Sequence, residues 1–241
     1  MKGSFYVGAY WEDRPQTLGE YIAASKRFLA RLRAFHPVFL NLMSWGKTLD
    51  SGVALLPDLS NLDELLFHRA PDEDCLFLPS APDGSPTLNS TCTIGFITSY
   101  ATGQDGKSTS VSIAAGAASP LLNNSVVIKL PAGSALAEYG TLKQLLKVTV
   151  ESWAPQTALV SSNAFNRALN GMNLKLPIVG WMTWVADTAA RDVLPAGIQS
   201  EQLAGGLLVT TTPELLSPES PDHVATARKL RDTLQEHGFL K

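Results

Sequence analysis

The chain is predicted to be an α+β protein: a mostly antiparallel mixed sheet with flanking helices, including long N-terminal and C-terminal helices. Three observations predict this. Strand-like segments bunch together in the centre and the last third instead of alternating strictly with helices. A glycine-containing hairpin signal, Thr102-Gly103-Gln104-Asp105-Gly106, joins two of those segments. Amphipathic helical segments with clear start signals lie near both ends.

Phe5 to Trp11 is a run of aromatic, small and β-branched residues, the pattern of a strand buried on both faces. Asp13-Arg14-Pro15 turns the chain, and Thr17-Leu18-Gly19-Glu20 has capping-box spacing: the threonine hydroxyl accepts an early helix amide while the glutamate reaches back. Tyr21, Ile22, Ser25, Phe28, Leu29, Leu32 and Phe35 then recur at helical period, with Lys26, Arg27, Arg31 and Arg33 on the wet face. His36-Pro37 ends that helix. A short helical turn is expected over 38–45, a loop over 46–57 and a second helix from Ser60 or Asn61 to about Arg69. Pro71, Pro79, Pro82 and Pro86 predict little regular structure before Thr87. Strands are expected over 87–100, 107–116 and 125–130, as an antiparallel meander. A helix follows over 141–153, then a strand over 157–160 and a short helix over 163–169 ended by Gly171. The last third predicts strands over 178–185, 198–203 and 206–212. A closing helix starts at Ser220-Pro221, with proline at the first helical position.

With 241 residues and 45% hydrophobic content the chain can bury a sizeable core, and it is read as one domain spanning 1–241. Charged residues are 17%, so long solvated helices and disordered tails are not expected. A net charge of -3 gives no basic footprint for direct nucleic-acid binding. No apolar segment follows Lys2 as a secretory signal would require, and no apolar run reaches the roughly 18–20 residues of a membrane span. Two cysteines, Cys75 and Cys92, are read as buried thiols of a cytoplasmic protein, with one disulfide as the alternative.

The search for chemistry finds little. His36, His68, His223 and His237 lack partners at metal-ligand spacing, so capping or solvated roles are expected, with no metal and no cofactor. There is no nucleophile elbow and no phosphate-binding glycine loop, and Cys75 sits beside Asp74, which raises a thiol pKa. Asp83 followed by Asp105-Gly106-Lys107 loosely matches the two acids and lysine of a restriction-type nuclease. Asp105-Gly106 reads better as a hairpin tip, where these residues supply the turn. No catalytic residue is assigned.

The strongest charge asymmetry is acidic. Asp58, Asp63, Glu64, Asp72, Glu73 and Asp74 stand against one base, Arg69. A solvated helix face followed by a polar loop accounts for this; so does a docking surface for a basic partner, with Trp45 just before it as an aromatic anchor. Trp11, Trp153, Trp181 and Trp184 lie in apolar elements and are expected in the core.

Tyr6-Val7-Gly8-Ala9-Tyr10-Trp11 with Arg14, then Arg27-Phe28-Leu29-Ala30-Arg31-Leu32, Pro37 and Trp45 resemble the opening of family 52 of the polymorphic-toxin immunity proteins. Val179-Gly180-Trp181-Met182-Thr183-Trp184, Gly205-Gly206-Leu207-Leu208-Val209-Thr210-Thr211 and Pro221-Asp222-His223-Val224-Ala225 are similar to its closing motifs, in the same order. The resemblance implies an antidote that binds and silences a toxin, with no catalysis of its own. It further implies a toxin with a restriction-endonuclease-like nuclease domain, delivered between bacteria by a type VI or contact-dependent system. A basic nuclease groove would then give the acidic stretch its purpose. A nuclease using Asp83, Asp105 and Lys107, and a non-enzymatic adaptor, are the rival readings.

Overall fold

The computed structural model describes residues 4–44, 52–67, 77–82, 84–103, 108–119, 121–173 and 176–240. The chain forms two compact units, one of Met1–Ala9 with Leu130–Lys241 and the other of Tyr10–Lys129. The first strand, β1 (Tyr6–Trp11), is buried at all but one position, as its unbroken apolar run requires.

In the unit of residues 10–129, helix α1 (Leu18–Phe35) begins at the predicted capping box. The Thr17 hydroxyl accepts the Glu20 amide at 3.2 Å, and the Glu20 carboxylate accepts the Thr17 amide at 2.8 Å. The expected turn after His36 is a 3₁₀ helix, Pro37–Asn41, where His36 Nδ1 accepts the Val38 amide at 3.1 Å. Then come β2 (Met43–Ser44), β3 (Val53–Ala54), α2 (Leu62–Phe67), β4 (Phe77–Ser80), β5 (Pro86–Cys92), β6 (Phe96–Ala101), β7 (Ser110–Ala115) and β8 (Asn124–Lys129). Strands β6, β7 and β8 form the predicted antiparallel meander. Its register stacks Thr98 on Ile113 and Val126, and Tyr100 on Val111 and Ile128. These side chains are all buried, and α1 seals them: the Tyr21 hydroxyl lies 2.7 Å from Thr98 Oγ1, and its ring is 5.2 Å from that of Phe96. The alternate side chains, Ile97, Ser99, Ser112, Ala114, Ser125 and Val127, are exposed or half-buried. One face is covered and the other is open.

Three expectations for this unit are corrected. Strand pairing begins before Thr87, since β4 pairs with β5 as a separate antiparallel ribbon with a register shift between Leu78 and Ser80. Pro79 and Pro86 hide it in the sequence, yet an irregular two-stranded ribbon tolerates proline. The strand expected over 87–100 is two strands, broken at Gly95. Gly95 has φ +76°, and a Cβ there would lie 2.6 Å from the Ala117 nitrogen, so the turn needs glycine. Cys92 is not a free thiol: it is buried and disulfide-bonded, and Cys75 lies outside the described residues.

The other unit adds α3 (Tyr139–Trp153), β9 (Thr157–Ser161), α4 (Asn163–Asn170), β10 (Met182–Val185), a 3₁₀ helix (Thr188–Val193), β11 (Gln199–Leu203), β12 (Gly206–Thr210) and α5 (Pro221–Glu236). Strand β10 pairs antiparallel with both β9 and β12, and β12 with β11. Strands β10 and β12 are buried at every position, so both their faces are covered. Gly206 permits this packing: a Cβ there would lie 2.4 Å from the Trp184 ring and 2.4 Å from the Val185 carbonyl oxygen. Several buried polar groups here are paired. Trp184 Nε1 donates to Leu203 O at 2.7 Å and Trp181 Nε1 to Thr212 O at 3.0 Å. Buried Arg231 donates to Asn170 Oδ1 at 2.6 Å and to Asp232 Oδ1. Trp11, Trp153, Trp181 and Trp184 are all core residues, as expected.

Ten strands make one sheet, in the order β11-β12-β10-β9-β1-β8-β7-β6-β2-β3, so the fold is α+β with a large antiparallel sheet, as predicted.

Candidate partner-binding surface

Of the residues expected to meet a partner, Trp45, Asp72, Glu73 and Asp74 lie outside the described residues. Asp58, Asp63 and Glu64 are described, and all three are exposed. They lie on the turn after β3 and on α2, beside the outermost strand of the sheet.

This segment is held by side chains whose role the sequence alone does not reveal. The Leu55 amide donates to Leu42 O at 3.0 Å, extending the β2–β3 pairing. Arg33, on the last turn of α1, donates through Nη1 to Leu56 O at 2.5 Å and Pro57 O at 2.8 Å, and through Nη2 to Leu55 O at 3.1 Å. One guanidinium therefore ties down three consecutive carbonyls, which its forked donors suit and a lysine ammonium would not. Asn61 closes the loop from the other side. Its Nδ2 donates to Ala54 O at 2.9 Å, and its Oδ1 accepts the Leu56 amide at 3.0 Å.

The acids do not act as a free cluster. Lys26 Nζ sits 2.7 Å from Asp63 Oδ2 in an ion pair open to solvent, worth about 1 kcal/mol or less. Bonds from Ser60 hold the Asp58 carboxyl below the usual carboxylate range, with Lys26 adding attraction. Burial pushes the Arg33 guanidinium down, and Asp58 opposes that shift. Thus α1 neutralises part of the charge from beneath, leaving Asp58 and Glu64 to carry the outward negative potential.

Beside these acids the surface is apolar. Leu40, Val53 and Leu56 are 52%, 45% and 47% exposed. The available signal was Val53-Ala54-Leu55-Leu56, four apolar residues in a stretch expected to be loop, too apolar for a connection that only meets water.

Elsewhere the histidine-centred groups serve structure. His223 Nε2 lies 3.5 Å from Thr212 Oγ1 and 3.9 Å from Glu214 Oε2, superficially a nucleophile–base–acid set. However, its Nδ1 accepts the Ser217 amide at 3.1 Å. A neutral imidazole whose Nδ1 accepts carries its proton on Nε2, so it cannot take one from Thr212. His223 instead fastens the loop before α5, a capping role as expected. Among the described residues no three His, Cys, Asp or Glu side chains gather to hold a metal ion. Asp83, Asp105 and Lys107 lie outside them. No helix among the described residues is long and apolar enough to cross a membrane.

Comparison with known proteins places these features. The model of the family described as immunity protein 52 matches residues 3–241, essentially the whole chain. Among solved structures the fold is similar to Pseudomonas aeruginosa T6SS protein PA0821 at a TM-score of 0.52 and 12% identity. That likeness covers 96% of this chain and 74% of the other, and it is one of fold. No curated protein matches the sequence.

Proposed function

The chain belongs to the immunity protein 52 family, and from that premise we propose that it protects its host by binding a cognate toxin, with no catalysis of its own. The observation that carries this reading is the family match, which runs through both compact units. It supports treating 1–241 as a single immunity domain.

The partner is read as a toxin with a restriction-endonuclease-like nuclease domain, delivered by a type VI or contact-dependent system. The fold likeness to a T6SS protein is in keeping with type VI delivery. The acid-rich segment from Asp58 to Asp74 supplies the electrostatic part of the contact, because a DNA-cutting domain presents a basic groove. A nuclease is dangerous where DNA is, so the antidote acts in the cytoplasm. The test is co-expression with the toxin gene encoded beside this chain. Growth is expected to be rescued, and the purified pair is expected to associate in the nanomolar range. Toxicity unchanged by the chain, with no association by calorimetry, would overturn the reading.

One observation favours a second reading of location. Cys92 is disulfide-bonded, and disulfides persist in oxidising compartments outside the cytosol. Acid quenching of cells followed by thiol alkylation under denaturing conditions separates the two. Two reactive thiols fit the cytoplasm; none fits an exported protein and a toxin that acts outside the cytosol.

A further inference from the structure

Leu40, Val53 and Leu56 are exposed apolar residues on the two segments joined by the Leu55–Leu42 bond at the outer edge of the sheet, where strand β3 ends the strand order. Three properties of the surroundings fix how such residues can be used.

The backbone of residues 54–57 is braced before any partner arrives. Arg33 holds the carbonyls of Leu55, Leu56 and Pro57, and Asn61 bridges Ala54 O to the Leu56 amide. Binding therefore pays little of the ordering entropy that a flexible loop would cost.

Strand addition is hindered. An edge strand invites another chain through its unpaired carbonyls and amides. At this edge the acceptors of residues 54–57 already hold Asn61 and Arg33 side chains. Those carbonyls are unavailable to an added strand, which favours contact through side chains.

The rim is acidic. Residues 52–67 contain Asp58, Asp63 and Glu64 and no lysine or arginine. Lys26 reaches in from α1 to pair with Asp63, and Asp58 is held in its ionised form by Ser60. A second copy of this chain would bring like charge against like. A basic surface with apolar pockets fits.

We propose that the braced β3 edge, with Leu40, Val53 and Leu56 as anchors and Asp58 and Glu64 as rim, is the surface that grips a basic face of the cognate toxin, side chain into pocket. This rests on the reading above that the partner is a toxin, and it identifies the apolar half of a contact whose acidic half the sequence suggested. Charge steers the encounter, whereas buried anchors set how long the complex lasts.

The test uses the full chain and the toxin domain encoded by the neighbouring gene, carrying an inactivating substitution. The variant Leu40→Ser/Val53→Ser/Leu56→Ser is expected to raise Kd about 100-fold, mainly through faster dissociation. Its melt is expected to stay cooperative and to fall by only about a few degrees, because all three side chains are about half exposed. Asp58→Lys/Glu64→Lys is expected to slow association about tenfold at low salt and much less at high salt. Hydrogen exchange of the wild-type complex is expected to protect 53–61. Four results overturn the proposal. Wild-type protein binding while the triple-serine variant binds within about threefold removes the surface but leaves the immunity reading standing. Absence of protection over 53–61 does the same. A free-chain dimer that the triple-serine variant dissolves assigns these residues to a second copy. Failure of the wild-type chain to bind removes the immunity reading and this proposal together.

Discussion

Strands β7 and β12 are both interior strands of the sheet, yet their sequences obey different rules. In β7, Ser-Val-Ser-Ile-Ala-Ala, buried and half-buried positions alternate without exception. In β12, Gly-Leu-Leu-Val-Thr, every position is buried. Neither the backbone nor the antiparallel pairing distinguishes them; the difference is how many faces are covered. With α1 over one face only, the meander keeps hydroxyls on the other, where Ser99 and Ser112 lie 3.1 Å apart across the strands. Where both faces are covered, a side chain is tolerated only if it is apolar or its polar atoms are already paired. Thr211 illustrates the second condition, donating to Gly180 O at 2.6 Å. One-sided cover thus leaves sequence freedom, and two-sided cover removes it.

Substitutions can break that contrast. The largest effect is expected from Gly206→Val in the doubly covered region, because the new Cβ must displace the Trp184 ring or the Val185 backbone. A loss of more than ~4 kcal/mol is expected, read as insoluble protein or a lost cooperative melt. A well-folded variant would mean that the packing there is looser than described.

A matched pair comes next. Leu159→Ala in β9, where the side chain is 3% exposed, is expected to cost about 2–5 kcal/mol in urea denaturation. Ile97→Ala on the open face, 54% exposed, is expected to change stability by about 0.5 kcal/mol or less. Equal costs would show that something covers the open face.

A smaller effect is expected from Tyr21→Phe, which removes the bond that ties α1 to the covered face of the meander and leaves Thr98 without it. About 1–2 kcal/mol is expected from the same denaturation series. No change would argue that α1 is held by apolar packing alone.

The smallest effect is a pH dependence that ignores the contrast. Asp58 and Glu219 lie in different units, and each carboxyl is held below its ordinary value, chiefly by a serine, Ser60 and Ser217 respectively. A depressed folded pKa gives stability that is present above the unfolded value of about 4 and is lost as pH falls through the folded value. Asp58→Asn and Glu219→Gln are each expected to flatten the acid limb of the unfolding midpoint slightly below about pH 4, by similar amounts. A large effect from only one would break the symmetry.

Much of the fold was legible because it is written locally. The Thr17–Glu20 box, the alternation through β6 and β7 and the closing Gly171 each need only a few neighbouring residues. The ribbon of β4 and β5 was not legible, because Pro79 and Pro86 signal breaks and the pairing partner lies across an irregular register. Nor was the split at Gly95, where the reason for glycine is the Ala117 backbone, 22 residues away. The candidate surface divides the same way. The acids were visible as composition, but their partial neutralisation was not, since Lys26 and Asp63 are 37 residues apart and meet only when α1 and α2 pack. The loop braces Arg33 and Asn61 look like ordinary polar residues until folded.

Strand β1 carries a consequence for how the protein is made. Its residues Tyr6 to Ala9 belong to the unit completed by Leu130–Lys241, while Tyr10 and Trp11 belong to the unit that ends at Lys129. The second of these is one continuous stretch and can condense as soon as it clears the ribosome. The first joins Tyr6–Ala9 to residues 130–241, so it cannot be completed until that later stretch has been made. Folding of that unit therefore waits on a join between distant parts of the chain, the kind of step that long loop closure makes slow.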